Sequence, residues 1–291
     1  MSKKNFKFKI KGHGSFYLRE GWLRKGIKNV EKDENIFINK EATDILGVGN
    51  NMVKSIRYWL QACGLTEEKK RKQYLTEDFG EIINKFDPYF EDIFTLWLIH
   101  YKLSSNSELA TTWYLFFNKL NLDEFTKVDL FHAMKNSLDG LTDKKYSENS
   151  LNDDCSCFIK TYYTENPNSK NPEENTVCPL SELKLIDKIK SADGKDIYIK
   201  KRPNMEVLDK LVVMYIILDN LDGKNSIEIE KLLNDSSNVG KILNLDRNIL
   251  NEYLDILKYE GFIDINRTAG LDKIYIKHKD KNKIIEEYFK E

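Results

Sequence analysis

His13 is one of four histidines among 291 residues, and it stands in a segment whose side chains could do chemistry. The segment is GHGSFYLREGWLRKGI, Gly12–Ile27, in which Arg19, Arg24 and Lys25 alternate with Phe16, Tyr17 and Trp22. An imidazole exchanges its proton near neutral pH, and cations beside it can hold a phosphate while charge develops. His13, Arg19 and Lys25 are therefore the candidate catalytic residues for a metal-independent reaction. Two other uses of the segment stay open: an arm that contacts phosphate, and, more simply, a cap on the helices that follow.

Other reactive sets are weaker. Cys155-x-Cys157 with Cys178 offers three thiolates, whereas a closed zinc site takes four ligands, usually in pairs. No neighbouring histidine completes it, so Cys155, Cys157 and Cys178 read as free thiols and zinc is not expected. A nuclease using a divalent metal would need carboxylates and a lysine in the pattern of Asp153 or Asp154 with Glu182-Leu183-Lys184, or of Asp222 with Glu228-x-Glu230-Lys231. With 32% of the chain charged, such patterns arise by chance. Phosphate-binding glycine loops, HExxH and GxSxG are missing from the sequence.

The element that would position such chemistry is the stretch Asn39–Leu65. Ala42, Ile45 and Leu46 give a short helix from Lys40 to Leu46 an apolar face, and Gly47-Val48-Gly49 ends it. Met52, Val53, Ile56, Trp59, Leu60 and Cys63 recur at three- and four-residue spacing, with Asn50 or Asn51 placed to cap a second helix. The open face of that helix carries Asn50, Asn51, Lys54, Ser55, Arg57 and Tyr58, types that suit phosphate and base-edge contacts. Leu65-Thr66 and Gln73–Thr76 read as two short strands around a charged tip that includes Lys69, Lys70, Arg71 and Lys72. Together they describe a winged helix-turn-helix with a basic wing.

Charge is distributed to match. The whole chain is nearly neutral at −1, but residues 1–72 hold 17 Lys and Arg against 8 Asp and Glu, a balance of +9. The remaining 219 residues hold 29 against 39, a balance of −10. A positive field concentrated on one segment is the footprint of a polyanion partner such as duplex DNA. No apolar run reaches the ~20 residues of a membrane span, and the polar, basic N-terminus is not a secretory signal. A reducing cytoplasm is the expected compartment.

The remaining chain reads as mainly α with small β-hairpins, an α+β protein. KKNFKFKI, residues 3–10, alternates like a strand. Residues 77–140 carry helices built on Phe79, Ile82 and Phe86, on Ile93–Leu103, and on Trp113–Leu120; His100 falls on an apolar face and reads as a core histidine. Residues 139–176 are polar and read largely as loop, with Cys157–Tyr163 apolar enough for a helix or strand. Ile197–Lys200 alternates as a strand. Residues 203–291 repeat the opening logic: helices over Met205–Leu221 and Ile227–Leu233, a third capped by Asp246, then a hairpin around Asn266–Gly270. This second winged helix offers Arg247, Arg267 and Lys273, but Glu252 and Asp255 oppose phosphate, so a protein-contact role stands beside DNA binding. The expected division is 1–76, 77–202 and 203–291.

One combination of motifs is specific. G-H-x-S-F-x-x-R-x-G-W-L-x-K-G precedes A-x-x-x-L-G-V-G-x-N-M-V-x-S-I-R-x-W. Leu75-Thr76, Gly80, Asp87–Asp92, Thr95–His100, Ala110-x-x-Trp113 and Phe116–Asn118 follow, then Cys178–Leu183. This resembles the bacterial domain-of-unknown-function family 4007. The resemblance implies a role beside DNA phosphorothioation and antiphage defence, in company with other subunits, and implies a link to a DNA-nicking subunit. Three functions stay open: a DNA-binding protein that nicks DNA, a non-catalytic DNA-binding adaptor or transcriptional regulator, and a winged-helix scaffold without DNA. Homodimerisation is compatible with each.

Overall fold

Gly21 takes a left-handed backbone, φ 75°, and from it runs helix α1, Trp22–Lys32, which buries Trp22, Leu23, Gly26, Ile27 and Val30. Helix α2, Ala42–Leu46, ends at Gly47, also left-handed, and α3 follows over Asn50–Ala62. Gly49 occupies the N-cap of α3 without a side-chain bond, so Asn50 and Asn51 lie inside the helix and do not cap it. The contact of α1 with α3 is close at Gly26, where a Cβ would lie 2.5 Å from Leu60 Cδ1. The computed structural model describes residues 6–165, 177–268 and 271–290.

A ribbon follows α3. Strands β1, Thr66–Lys69, and β2, Lys72–Leu75, pair antiparallel with Thr66 opposite Leu75 and Lys69 opposite Lys72. The first strand is longer than expected and the second is shifted back by one residue, so the tip is only Lys70-Arg71. Both tip residues have positive φ, 52° and 71°, the backbone of a two-residue turn whose twist matches the strands.

Helices α4, Gly80–Phe86, α5, Ile93–Ser105, and α6, Thr111–Asn118, come next. Helix α5 is apolar around most of its circumference and buries Phe94 through Tyr101, the signature of a helix at the centre of its unit. His100 is fully buried on it, with Nδ1 2.8 Å from the Tyr162 hydroxyl, as a core histidine should be. After the two-residue strand β3, Glu124–Phe125, comes α7, Lys127–Leu141, opened by a reciprocal capping box of Thr126 and Asp129.

Helix α8, Glu148–Tyr162, corrects the reading of residues 139–176 as loop. Its first turn is polar because Ser147 caps it and solvent covers it. From Leu151 onward it buries Leu151, Cys155, Phe158, Ile159 and Tyr162 at helical spacing. Residues 166–176, the last part of the expected loop, lie outside the described residues. Strands β4, Ile186–Lys190, and β5, Asp196–Lys200, join β3 in an antiparallel sheet of order β3-β5-β4.

The described part of KKNFKFKI, residues 6–10, forms no strand; residues 3–5 lie outside the described ones. The chain there is tied sideways instead. The Lys9 amide donates to Thr111 Oγ1 on α6 and the Lys11 amide to Asp154 Oδ1 on α8, at 2.9 and 2.7 Å. These bonds knit the first 76 residues to the helices beyond, and the chain divides once, into Met1–Lys201 and Arg202–Glu291.

In the second unit α9, Lys210–Asp219, is its buried centre; strand β6, Ser226–Glu228, and helices α10, Ile229–Asn234, and α11, Val239–Ile242, follow. Asp246 caps α12, Arg247–Tyr259, by accepting from the Asn248 and Ile249 amides. Strands β7, Ile263–Thr268, and β8, Leu271–Ile276, complete an antiparallel sheet of order β6-β8-β7, and α13, Lys281–Tyr288, closes the unit. Strand β6 has only three residues, too short for alternation to reveal it.

Candidate functional site

The exposed end of α3 carries Asn50, Asn51 and Lys54, while Lys70 and Arg71 stand exposed at the ribbon tip. Among the described residues neither Lys54 nor Lys70 is in a salt bridge. The other expected DNA contacts are placed differently. Arg57 is half-buried and paired with Glu68 of β1, whose carboxyl it holds below the usual range. Lys69 lies 2.5 Å from Glu67, and Lys72 lies 2.9 Å from Glu34.

Ser55 and Tyr58 leave the open face altogether. Ser55 is buried and donates to the His13 carbonyl at 2.8 Å, and Tyr58 is buried with its hydroxyl on the Leu109 carbonyl at 2.9 Å. The reason is the arm: residues 9–16 cross the side of α3 that sequence periodicity leaves to solvent. At Gly12 a Cβ would lie 2.4 Å from Tyr58 Cε2, so only glycine lets the arm pass there. Desolvation pushes the Tyr58 hydroxyl well above its ordinary pKa.

His13 is 1% exposed, its ring set among Tyr58, Trp59 and Trp113. Its Nε2 lies 2.7 Å from Asp154 Oδ1. Asp154 is also buried, and it accepts the Lys11 amide at 2.7 Å and Thr112 Oγ1 at 2.9 Å. A carboxylate only accepts, which assigns a hydrogen to Nε2. Nδ1 is buried without a partner.

His13 lines a cleft of about 380 Å³ together with Ser15, Arg19, Asp153, Ser156 and Lys160. Two of the three candidate catalytic residues, His13 and Arg19, therefore meet. Lys25 does not join them; it stays on α1, outside this lining, and Lys160 of α8 takes the cationic place beside Arg19. The Arg19 guanidinium sits 5.4–5.9 Å from the rings of Phe16, Tyr17 and Trp22, with Nε buried and unbonded. Sequence reasoning passed over Ser156 and Lys160, and took Asp153 and Asp154 only as metal ligands. The signal existed: Asp153, Ser156 and Lys160 stand at i, i+3 and i+7, one stripe of a helix.

The cysteines act as core residues. Cys63, Cys155, Cys157 and Cys178 are free and buried, and burial pushes the thiols of Cys155 and Cys178 up to about 12. Among the described residues no group of three or more His, Cys, Asp or Glu side chains is arranged to hold a metal ion. Asp154, the one carboxylate beside His13 with a suitable burial, already accepts three hydrogen bonds. The acidic patterns containing Glu182 and Glu228 build no such group either.

In the second unit each expected basic contact faces an acid. Arg247 pairs with Glu230, Arg267 lies 3.0 Å from Asp255, and Lys273 lies 3.7 Å from Glu228. Ile256 and Tyr259 stand exposed one turn apart on α12, Tyr259 at 92%. No helix among the described residues is long and apolar enough to cross a membrane.

These features define a mixed α/β protein of helices with small antiparallel sheets, carrying a buried His–Asp pair beside a basic cleft. Comparison with known proteins gives its family: residues 10–289 match the model of the protein family of unknown function DUF4007, and the chain belongs to that family. It has the fold of a magnesium-bound SspB crystal structure, with a TM-score of 0.86 and 23% identity over 97% of this chain and 88% of that one. A second SspB crystal structure gives a TM-score of 0.81 and 22% identity over the same shares. No curated protein matches.

Proposed function

We propose that this protein grips duplex DNA through the exposed end of α3 and the ribbon beside it, as a component of a DNA phosphorothioation-linked antiphage defence system. The observation that carries the reading is the set Asn50, Asn51, Lys54, Lys70 and Arg71: exposed side chains on a helix end and the adjacent ribbon tip. We read helix pair and ribbon as a winged helix-turn-helix, in which the asparagines suit base edges and the cations suit phosphates. The family resemblance and the SspB-like fold support the defence setting. The second unit, also read as a winged helix, has its arginines matched by acids and an exposed Ile256–Tyr259 stripe. That balance favours contacts with other subunits over a second DNA grip.

A nicking activity is the second reading, favoured by the His13–Asp154 pair at a cleft that also holds Arg19 and Lys160. The buried carboxylate orients the imidazole at the cleft wall, a group suited to proton transfer, while the two cations meet the phosphate. Among the described residues no donor set for a metal is assembled beside this pair.

Both readings are tested with purified protein. In an electrophoretic shift assay, Lys54→Ala with Lys70→Ala is expected to lose about tenfold or more in duplex affinity and to flatten the salt dependence by ~0.9 per phosphate contact removed. Unchanged affinity in the double variant would overturn the grip. For nicking, supercoiled plasmid is incubated with and without magnesium. Relaxed circles that vanish with His13→Ala, in a variant that keeps the wild-type circular dichroism, are the expected result. Absence of relaxed circles under every condition rejects the enzyme and leaves the adaptor.

A further inference from the structure

The cleft beside His13 does not stop at Arg19. It shares Tyr17, Ser156 and Lys160 with a neighbouring hollow of about 530 Å³ that also takes in Lys127, Tyr163 and Tyr198. The combined groove alternates two kinds of side chain. Tyr17, Tyr163 and Tyr198 offer half-buried rings; Arg19, Lys127 and Lys160 offer positive charge. Among the described residues none of these three cations is in a salt bridge, and Arg19 and Lys160 lie 5.9 and 5.6 Å from the ring of Tyr17. The groove's carboxylates are already matched: Asp153 lies 2.6 Å from Lys11, and Glu165 pairs with Lys188.

We propose that this groove holds a single strand of nucleic acid, its phosphates against Arg19, Lys127 and Lys160 and its bases stacked on Tyr17, Tyr163 and Tyr198. Rings in a concave, charged groove are of little use to a duplex, whose bases face one another; a separated strand presents a π-face with every base and a phosphate with every link. Tyr198 is held ready by stacking on Phe125 at 5.8 Å, and Tyr163 meets it edge-on at 6.0 Å. Tyr163 and Tyr198 are therefore held before any strand arrives, which lowers the ordering cost of binding. The groove is built from the arm, α7, α8 and β5, not from α3 and the ribbon, so it stands independently of the duplex grip. Together the two would let one protein hold a duplex and a strand drawn from it.

The test uses fluorescence anisotropy with a labelled oligothymidylate of roughly 12 nucleotides. Binding is expected to weaken with salt at a logarithmic slope near −2, from three contacts at ~0.7 each. Lys127→Glu puts an acid in the first turn of α7, where it suits the helix N-terminus, and should fold; it is expected to weaken strand binding by about tenfold and to leave duplex affinity unchanged, while Lys54→Ala with Lys70→Ala does the reverse. A backbone of the same length without bases should bind at least about fivefold more weakly, because stacking is lost. An oligouridylate separates DNA from RNA as the source of the strand. Equal binding of the base-free backbone, an unaltered strand affinity in Lys127→Glu, or equal loss of strand and duplex binding in either variant would each overturn the proposal.

Discussion

His13 Nε2 lies 2.7 Å from Asp154 Oδ1, and the two residues are 141 positions apart in the chain. Neither is more than 2% exposed at its side chain. The pair joins the N-terminal arm to α8, and it brings the best acid–base group of the sequence to the wall of a basic cleft. The bond that fastens the arm to α8 is also the one that sets the imidazole at the cleft proposed to react.

Removing one member leaves the other buried and unmatched. Asp154→Ala is expected to cost ~3–5 kcal/mol of unfolding free energy, because three donors lose their acceptor at once. Urea denaturation followed by tryptophan fluorescence measures it, since Trp59 and Trp113 pack on the His13 ring. A loss below about 1 kcal/mol would mean that water or a neighbour satisfies the site.

The duplex grip should be uneven along α3. Lys54 is exposed and, among the described residues, outside any salt bridge, whereas Arg57 must first give up Glu68. Arg57→Ala is therefore expected to weaken duplex binding less than Lys54→Ala, by about twofold against about fivefold at low salt. Glu68→Gln should raise affinity by releasing Arg57. Titrations of the three single variants on one duplex decide the order; a larger effect of Arg57 than of Lys54 would reverse this assignment.

Alkali should unfold the first unit through its thiols. Burial raises Cys155 and Cys178 to about 12, above the value near 8.5 of an exposed thiol. A raised folded-state pKa contributes stability that is whole below the unfolded value and is lost as pH climbs toward the folded one. Between about pH 8.5 and 12 each thiol should therefore subtract up to ~1.4 kcal/mol per pH unit. Cys178→Ala is expected to flatten that slope in equilibrium unfolding, and all four thiols should react with Ellman's reagent only as the protein opens.

Gly80 tests packing. A Cβ there would lie 2.1 Å from the Leu65 carbonyl oxygen, and backbone cannot swing aside as a side chain can. Gly80→Ala should cost ~1–3 kcal/mol, read as a lower melting temperature in differential scanning fluorimetry. Gly47→Ala, whose site has open space but a φ of 59°, should instead show the smaller cost of backbone strain.

Sequence periodicity located α3 to within a residue, because Val53, Ile56, Trp59 and Leu60 repeat at helical spacing, and it placed α5 and α12 by the same rule. Asp246 announced its helix through cap chemistry that acts within three residues. These are local forces, and local sequence carries them. The motif around His13 likewise marked His13 and Arg19 before any fold was known. Periodicity failed where polar residues hid a helix, as in the first turn of α8, and where strands were too short to alternate, as in β6.

Tertiary structure alone decided the rest. The sequence could not say that Ser55 and Tyr58 would be covered, since that depends on an arm some 40 residues upstream crossing α3 at Gly12. Nor could it say that Asp154, one acid among 47 Asp and Glu, would be the partner of His13, or that Lys160 and not Lys25 would stand beside Arg19. The sequence by itself determined which stretches are helical and which segment is positive, because spacing and charge are written along the chain. Which of those charges meet, and which are neutralised by an acid, was settled by packing between residues that only folding brings within a few ångströms.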